Sequence, residues 1–195
     1  MILVIDLCYR GDSLSRDEFV GPVVRHLRGA GSSPAVRHYT AIGTHDFEVA
    51  DGVILCGTAL KDRGFMENPG RFRWFHAFER PVLGISSGML ALAAAFGGDI
   101  EPCSGIGMTD LRVIAPDPLF AGRETFAAYE LHDFAVRVLD GFIPLAVSDR
   151  CVQAIRHRSL PLYGVLFHPE VRNEWIIERF AGLVESAGAS IPGDP

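Results

Sequence analysis

The sequence predicts an α/β fold, a three-layer arrangement in which a mostly parallel central sheet is flanked by helices on both faces. Over the first half of the chain, short apolar runs typical of strands alternate strictly with segments of helical periodicity, as in parallel sheets covered by helices. From about residue 100 to residue 155 the pattern changes to short segments of alternating polarity, which indicates a small antiparallel excursion in the second half. A chain of 195 residues can bury one sizeable core, so residues 1–195 are predicted to form a single domain.

The first strands and the first helix follow in order. Residues 2–7 are the first strand candidate, and a Ser-x-x-Glu capping box at residues 15–18 predicts the start of a helix that ends at the glycines near residue 30. Residues 35–39 and 51–57 are the second and third strand candidates, because both are short apolar runs bounded by turn residues.

The remaining elements complete the predicted layers. Residues 71–79 have helical spacing, and residues 163–167 form another buried strand candidate. Asn173 is expected to cap a closing amphipathic helix, because asparagine is a favoured N-cap residue. The tail from about residue 189 to residue 195 is expected to fray.

Charge and segment composition argue against several classes of partner. The chain has 18 Lys and Arg against 24 Asp and Glu, a net charge of −6, so no basic excess favours nucleic acid or an anionic membrane surface. The longest uncharged run, residues 81–98, is broken by glycines and serines and is not expected to span a membrane. The N-terminal segment MILVIDLCYR lacks a basic region before its apolar stretch, so it is interpreted as a strand rather than a signal peptide, and a cytoplasmic location is expected.

The cysteines are expected to be free thiols. The chain has four, Cys8, Cys56, Cys103 and Cys151, with no Cys-x-x-Cys pair and no histidine cluster at metal-ligand spacing near any of them. The sequence therefore predicts neither a metal nor a cofactor.

The stretch Gly84-Ile85-Ser86-Ser87-Gly88 places a hydroxyl between two glycines, where a predicted strand over residues 81–85 gives way to a helix over residues 89–96. A residue at such a junction points outward from the carboxyl edge of the sheet, and the helix N-terminus supplies free N–H groups and a partial positive charge. This arrangement is typical of a nucleophile that attacks a carbonyl, and the glycines leave room for the tight turn. Taken alone, the pattern also fits an ordinary glycine-rich turn.

A second segment strengthens the catalytic interpretation. His168 and Glu170 lie two residues apart, directly after the buried strand near residue 165, and in an extended backbone positions i and i+2 point the same way. We expect His168 to face Ser86 while Glu170 holds the imidazole, the arrangement of nucleophile, base and orienting acid used in acyl transfer.

These two segments resemble those of class I, triad-type glutamine amidotransferases. PVLGISSGMLALAAAFGG resembles the family's nucleophile elbow, in which Pro-hydrophobic-Leu-Gly-Ile leads to Cys-x-Gly and a helix that closes on Phe-Gly-Gly. YGVLFHPEV resembles the family's segment around His-Pro-Glu. The likeness extends over nearly the whole chain through three further segments. These are DGVILCG, Gly105-Ile106-Gly107, and Glu130–Asp133, the last of which resembles the family's Ser-His-x-Asp turn. The resemblance implies a flavodoxin-like sheet.

The resemblance also implies a reaction: hydrolysis of the side-chain amide of glutamine, with ammonia passed to a synthetase partner. Its matched positions are the catalytic Ser86, His168 and Glu170, the oxyanion-hole backbone of Gly57, Thr58 and Ser87, and the substrate-binding Leu90, His132 and Asp133. The acceptor reaction stays open between guanylate, anthranilate and other syntheses, with the His132-Asp133 pair leaning toward the guanylate type.

Three positions depart from the family pattern. Ser86 stands where the family has cysteine, Gly57-Thr58-Ala59 where it has two glycines and a proline, and Leu90 where it has glutamine. A serine hydroxyl is a far poorer nucleophile than a thiolate unless its base is well placed. The departures put turnover of glutamine in doubt.

Several interpretations are therefore open. The chain is an amidotransferase whose activity is impaired by Ser86, or a non-catalytic member of the family with a binding or regulatory role. The third possibility is a serine hydrolase with Ser86, Asp149 and His168 as its triad, since the elbow also matches Gly-x-Ser-x-Gly. Cys56, at the end of a predicted strand near the same sheet edge, is a candidate substitute thiol.

Overall fold

The structure is a computed structural model that describes residues 1–137 and 139–189. In chain order, its strands are β1 (Ile2–Asp6), β2 (Pro34–His38), β3 (Gly52–Leu55), β4 (Val82–Ile85), β5 (Ile100–Val113), β6 (Thr125–Val136), β7 (Phe142–Val147), β8 (Val152–His157) and β9 (Leu162–Val165). The α-helices are α1 (Leu14–Gly29), α2 (Thr44–Glu48), α3 (Ser87–Ala95) and α4 (Trp175–Ala189), and three further segments, Gly64–Met66, Pro69–His76 and Pro118–Phe120, are 3₁₀-helices.

All of these strands belong to one sheet, with the order β2-β1-β3-β4-β9-β8-β7-β5-β6. The first five in this order pair in parallel, and the pairs from β9 onward are antiparallel. The α/β prediction is confirmed, and the antiparallel part is longer than a small excursion. β5 and β6 contain 14 and 12 residues, and polar side chains at solvent-facing positions of β5 interrupted the apolar pattern without ending the strand.

Two apolar layers cover the two faces of the parallel half. In β1, Ile2 and Val4 pack with α1 and α4 on one face, whereas Leu3 and Ile5 pack with α3 and the 3₁₀ segment Pro69–His76 on the other. Successive strand residues point to opposite faces, so a strand buried on both faces is apolar at every position. Within the described residues, no helix is both long and apolar enough to span a bilayer.

Several boundaries differ from the sequence prediction. α1 begins at Leu14 with Ser13 as its N-cap residue, ahead of the expected capping box. The segment 71–79, expected to be helical, lies mostly in the 3₁₀-helix Pro69–His76. Asn173 is not a side-chain cap: it adopts a φ of 82°, and its buried side-chain oxygen has no hydrogen-bond partner within the described residues. Of the tail expected to fray, all but Ala189 lies outside the described residues.

The junction between β4 and α3 has no room for side chains at its two glycines. A Cβ atom at Gly84 would lie 2.5 Å from the carbonyl carbon and oxygen of Gly88, and a Cβ atom at Gly88 would lie 2.5 Å from the carbonyl oxygen of Leu55. Both contacts are with backbone, which cannot rotate away as a side chain can. The close approach of α3 to β3 therefore requires glycine at position 88.

We expect Gly88→Ala to lower the free energy of unfolding by about 1–3 kcal/mol, because the added methyl group must displace the backbone of β3. Urea denaturation of both proteins measures the difference. Gly182→Ala is the matched control, since Gly182 is also helical but, apart from its own helix backbone and chain neighbours, no described heavy atom lies within 4 Å of the position that an added methyl group would take. Alanine at position 182 should be neutral or stabilising through helix propensity. Equal losses in the two variants would contradict the close approach.

Candidate active site

Ser86 lies at the turn between β4 and α3 in a backbone conformation that non-glycine residues rarely adopt. Its φ is 49° and its ψ is −104°. Its backbone N–H donates to the carbonyl oxygen of Val165 at 2.7 Å, which fixes the turn against β9. Strained residues of this kind occur where the surrounding structure over-determines them, often at active sites. The side chain of Ser86 is thus presented at the carboxyl edge of the sheet, as the sequence predicts.

His168 and Glu170 form a buried pair just beyond β9. Nδ1 of His168 lies 2.7 Å from Oε1 of Glu170, and the two residues are only 1% and 4% exposed. The backbone N–H of His168 donates to the carbonyl oxygen of Tyr129 at 2.8 Å, so β6 also holds the histidine. A Cβ atom at Gly57 would lie 2.7 Å from Cε1 of His168, so only glycine allows the imidazole its place. The structure therefore brings Gly57, His168 and Glu170 together.

The carbonyl oxygen of Leu131 contacts both candidate catalytic side chains. It lies 3.3 Å from Nε2 of His168, and the Ser86 hydroxyl donates to it at 3.5 Å. The imidazole of His168 thus has a carboxylate on one ring nitrogen and a carbonyl on the other. Both partners accept hydrogen bonds, so a ring with protons on both nitrogens satisfies both contacts, and this arrangement favours the imidazolium form of His168.

The electrostatic surroundings of His168 agree with this protonation state. Burial lowers its pKa, but the negative charge of Glu170, the hydrogen bond to Glu170 and the hydrogen bond to Leu131 together raise the pKa above its ordinary value. An imidazolium stabilises a neighbouring thiolate, as in cysteine enzymes. It cannot take a proton from a serine hydroxyl, because a general base must be unprotonated. This arrangement is matched to a thiolate rather than to the hydroxyl of Ser86.

The loop after β3 places free backbone donors beside the turn. Among the described residues, the N–H groups of Gly57, Thr58 and Ser87 donate to no acceptor. The Thr58 hydroxyl donates to Asp62 at 2.7 Å, and the same carboxylate oxygen accepts from the N–H of Tyr9 at 3.2 Å. These bonds hold the loop in place although it lacks the second glycine of the family pattern.

The cavity beside Ser86 is small. It measures about 30 Å³. The predicted site residues among its lining are Thr58, Ser86, Ser87, Leu90, His132 and Asp133.

The segment Glu130–Asp133 is not a turn. It lies within β6, where Glu130 and His132 are buried and Asp133 is half-buried, accepting a hydrogen bond from the Ser104 hydroxyl at 3.3 Å. The extended register with β5 runs through this segment, which explains the difference from the expected turn. The contact of Leu131 with Ser86 and His168 had no signal in the sequence, because it involves a backbone carbonyl and not a side chain.

Two other candidates are poorly placed for catalysis. Cys56 is fully buried, and burial together with the charges of Glu170 and Asp6 raises its pKa well above the ordinary value, so it stays a thiol. Asp149, the acid of the serine-hydrolase alternative, lines a separate cavity at the β7–β8 turn, whereas Glu170 holds Nδ1 of His168.

Known proteins share both the fold and the sequence pattern. A solved structure from Thermoplasma acidophilum, proposed to be one of the subunits of a GMP synthase, superposes with a TM-score of 0.82 and 24% identity, covering 97% of this chain and 96% of that one. A glutamine amidotransferase from Thermotoga maritima superposes with a TM-score of 0.67 and 15% identity, over 97% and 90% of the two chains. Both show that the flavodoxin-like fold of this chain is the one found in glutamine amidotransferases.

Sequence relatives lead to the same family. A glutamine-hydrolysing GMP synthase subunit from Methanopyrus kandleri is 35% identical over 146 residues, which cover 70% of this chain and 77% of the relative. The corresponding protein of Methanothrix thermoacetophila is 37% identical over 144 residues, with 70% and 77% coverage. Residues 15–175 match the family model described as glutamine amidotransferase class-I. With this match and the geometry at Ser86, His168 and Glu170, the chain belongs to the class-I glutamine amidotransferase family.

Proposed function

We propose that this chain binds glutamine at the Ser86 turn and hydrolyses its side-chain amide to supply ammonia to a synthetase partner, with a rate that Ser86 keeps low. The buried pair of His168 and Glu170 behind the turn carries this proposal. The 2.7 Å contact between these two side chains supports the roles of base and orienting acid in acyl transfer.

The proposed roles follow from the positions of the groups. The Ser86 hydroxyl attacks the amide carbon in those molecules whose His168 is unprotonated: the O–C bond forms as Nε2 of His168 takes the hydroxyl proton, which makes the ring an imidazolium. The N–H groups of Ser87 and of Gly57 or Thr58 stabilise the negative charge that develops on the amide oxygen. The C–N bond then breaks, and the imidazolium of His168 gives its proton to the departing ammonia. Water next attacks the acyl intermediate, and His168 takes a proton from that water. His168 returns this proton to the Ser86 oxygen as the ester bond breaks, and glutamate leaves.

Substrate contacts are proposed for the cavity wall. Leu90 and Asp133 line the cavity next to Ser86, as does His132, whose imidazole is turned toward Glu130. Leu90 is apolar where the family has an amide, so it contributes packing but no hydrogen bond to glutamine. A weaker hold on the substrate is expected from this departure.

The partner is proposed from the relatives. Their names describe them as one component of a glutamine-hydrolysing GMP synthase. The present sequence contains no Gly-x-x-x-x-Gly-Lys phosphate loop, so we assign any ATP-dependent step to a separate synthetase component. Guanylate synthesis is the acceptor reaction that these relatives favour.

Covalent trapping tests the proposed site directly. A glutamine analogue that carries an electrophile at the amide position should label S86C at position 86, and excess glutamine should protect against labelling. Peptide mass mapping locates the adduct, and S86C with His168→Ala should react much more slowly, because it lacks the imidazolium that stabilises the thiolate. Labelling that glutamine does not slow would contradict a glutamine site at this turn.

A non-catalytic binding or regulatory role is the second candidate. It is favoured by the Leu131 carbonyl, which engages both Ser86 and His168, and by the small cavity. If the chain has only a binding role, S86C should neither be labelled in a glutamine-sensitive manner nor hydrolyse glutamine, while association with the synthetase component persists.

A further inference from the structure

Three potential metal ligands meet on the buried side of the β5–β6 hairpin. Glu130 and His132 are buried on β6, and Cys151 lies half-buried in the turn between β7 and β8. One ligand atom from each residue lies within 4.8 Å of the others. Cys151 comes from a different segment of the chain than Glu130 and His132, which is why no metal-ligand spacing was visible in the sequence.

His132 points an unpaired ring nitrogen at this cluster. Its Nδ1 lies 2.8 Å from the carbonyl oxygen of Cys103, so Nδ1 must carry the proton and donate it. In the neutral ring, Nε2 then holds a lone pair. Within the described residues, this buried Nε2 has no hydrogen-bond partner, and its distance of 3.6 Å to Oε1 of Glu130 is too long for one. A buried unpaired polar atom of this kind is costly unless a ligand satisfies it.

The supporting contacts are those of a prepared ligand set. Histidines that bind metals almost always donate their other ring N–H to a carbonyl or carboxylate, as His132 does to Cys103. The carboxylate of Glu130 is held by the Arg150 guanidinium and by the Gln153 amide, which is 2.6 Å away. Gly105 lies opposite, and a Cβ atom there would be 2.6 Å from Nε2 of His132. The absence of a side chain at position 105 leaves room beside the ring.

We propose that Nε2 of His132, Sγ of Cys151 and a carboxylate oxygen of Glu130 bind one divalent zinc-like ion, with a water molecule as the fourth ligand. Mixed nitrogen, sulfur and oxygen ligands at about 2.0–2.3 Å are typical of four-coordinate zinc. A tetrahedral site with these bond lengths places its ligand atoms about 3.3–3.8 Å apart, so the three side chains need to close by about 1 Å. His132 also lines the cavity beside Ser86, so the two sites adjoin, but binding of the ion does not depend on glutamine hydrolysis.

Binding must displace the thiol proton. A cysteine thiol has an ordinary pKa of about 8.5, so the sulfur of Cys151 carries a proton at neutral pH before the ion binds. The ion takes the place of that proton: the S–H bond breaks, a metal–sulfur bond forms and one proton is released to the buffer. No electron is transferred, so no oxidant or reductant is required.

Titration with Co²⁺ as the spectroscopic probe tests the site on the full chain. We expect one ion per chain, a sulfur-to-cobalt charge-transfer band in the near ultraviolet, and loss of the band when Zn²⁺ is added. Cys151→Ser should abolish the band, and His132→Asn should weaken Co²⁺ binding by at least about tenfold. Two matched controls outside the cluster are Cys8→Ser and His157→Asn. They should leave the charge-transfer band and the affinity for Co²⁺ unchanged.

A measurement on the unaltered chain guards against variants that fail to fold. Zn²⁺ should protect Cys151 from alkylation, as mapped by peptide mass analysis, while a chelator restores its reactivity. The proposal is overturned if Co²⁺ binds without the charge-transfer band, if the band persists in Cys151→Ser, or if Zn²⁺ leaves the alkylation of Cys151 unchanged.

Discussion

Ser86→Cys is expected to raise the rate of glutamine hydrolysis by at least about tenfold, equivalent to a barrier lower by about 1.4 kcal/mol. The reason lies in the protonation of His168. Its two acceptor neighbours, Glu170 and the Leu131 carbonyl, favour the imidazolium form, which stabilises a thiolate at position 86 but cannot deprotonate a hydroxyl there. Ammonia release from glutamine, measured with each purified protein, gives the ratio of rates.

Two further variants make this comparison specific. Ser86→Ala sets the background rate, and Ser33→Cys adds an exposed thiol far from the turn. Both should hydrolyse glutamine no faster than the unaltered chain. If Ser86→Cys shows no gain over them, the site does not act as a glutaminase and the non-catalytic binding role is favoured.

Glu170→Gln, made in the S86C background, should lower the rate of glutamine hydrolysis by about 10²- to 10⁴-fold, the range typical of lost acid–base catalysis. The amide keeps the shape of the side chain but removes the negative charge that holds the proton on His168. Steady-state kinetics should show the loss mainly in kcat, because Glu170 contacts the imidazole and not the cavity that would take glutamine. A loss confined to KM would contradict this role.

The same substitution should change how stability depends on pH. His168 has a raised pKa in the folded protein, so its stabilising contribution is fully present below the unfolded value of 6.5 and is lost as the pH rises through the folded value. Without the negative charge of Glu170, the loss of folding stability with rising pH should be smaller. Urea denaturation at several pH values measures this loss of stability. Glu48→Gln is the control, since His45 and Glu48 are also a histidine–glutamate pair but are exposed.

The sequence was sufficient to predict the groups that depend on local chain geometry. Ser86 was found because glycines flank it at a strand-to-helix junction, and His168 and Glu170 because they follow a buried strand at a spacing of two. The parallel strands were found because both of their faces are buried, which makes them continuously apolar. Each of these signals is contained within a short stretch of the chain.

The features that were missed depend on contacts between distant segments. The Leu131 carbonyl reaches Ser86 and His168 only because β6 passes over the sheet edge, and a backbone oxygen leaves no mark on the sequence. The cluster of Glu130, His132 and Cys151 requires β6 and the β7–β8 turn to come together. Register between distant strands is not encoded in local periodicity, so neither feature could be predicted.

The position of β6 at the end of the strand order has a consequence for self-association. An outermost strand offers unpaired carbonyl and N–H groups to which another chain can add, which promotes aggregation. Here the N–H of His168 occupies the carbonyl of Tyr129, and the side chains of His168 and Ser86 occupy that of Leu131. The candidate catalytic residues thereby occupy two carbonyls on the open border of the sheet, so the acceptors left free at this border and the geometry of the site depend on the same contacts.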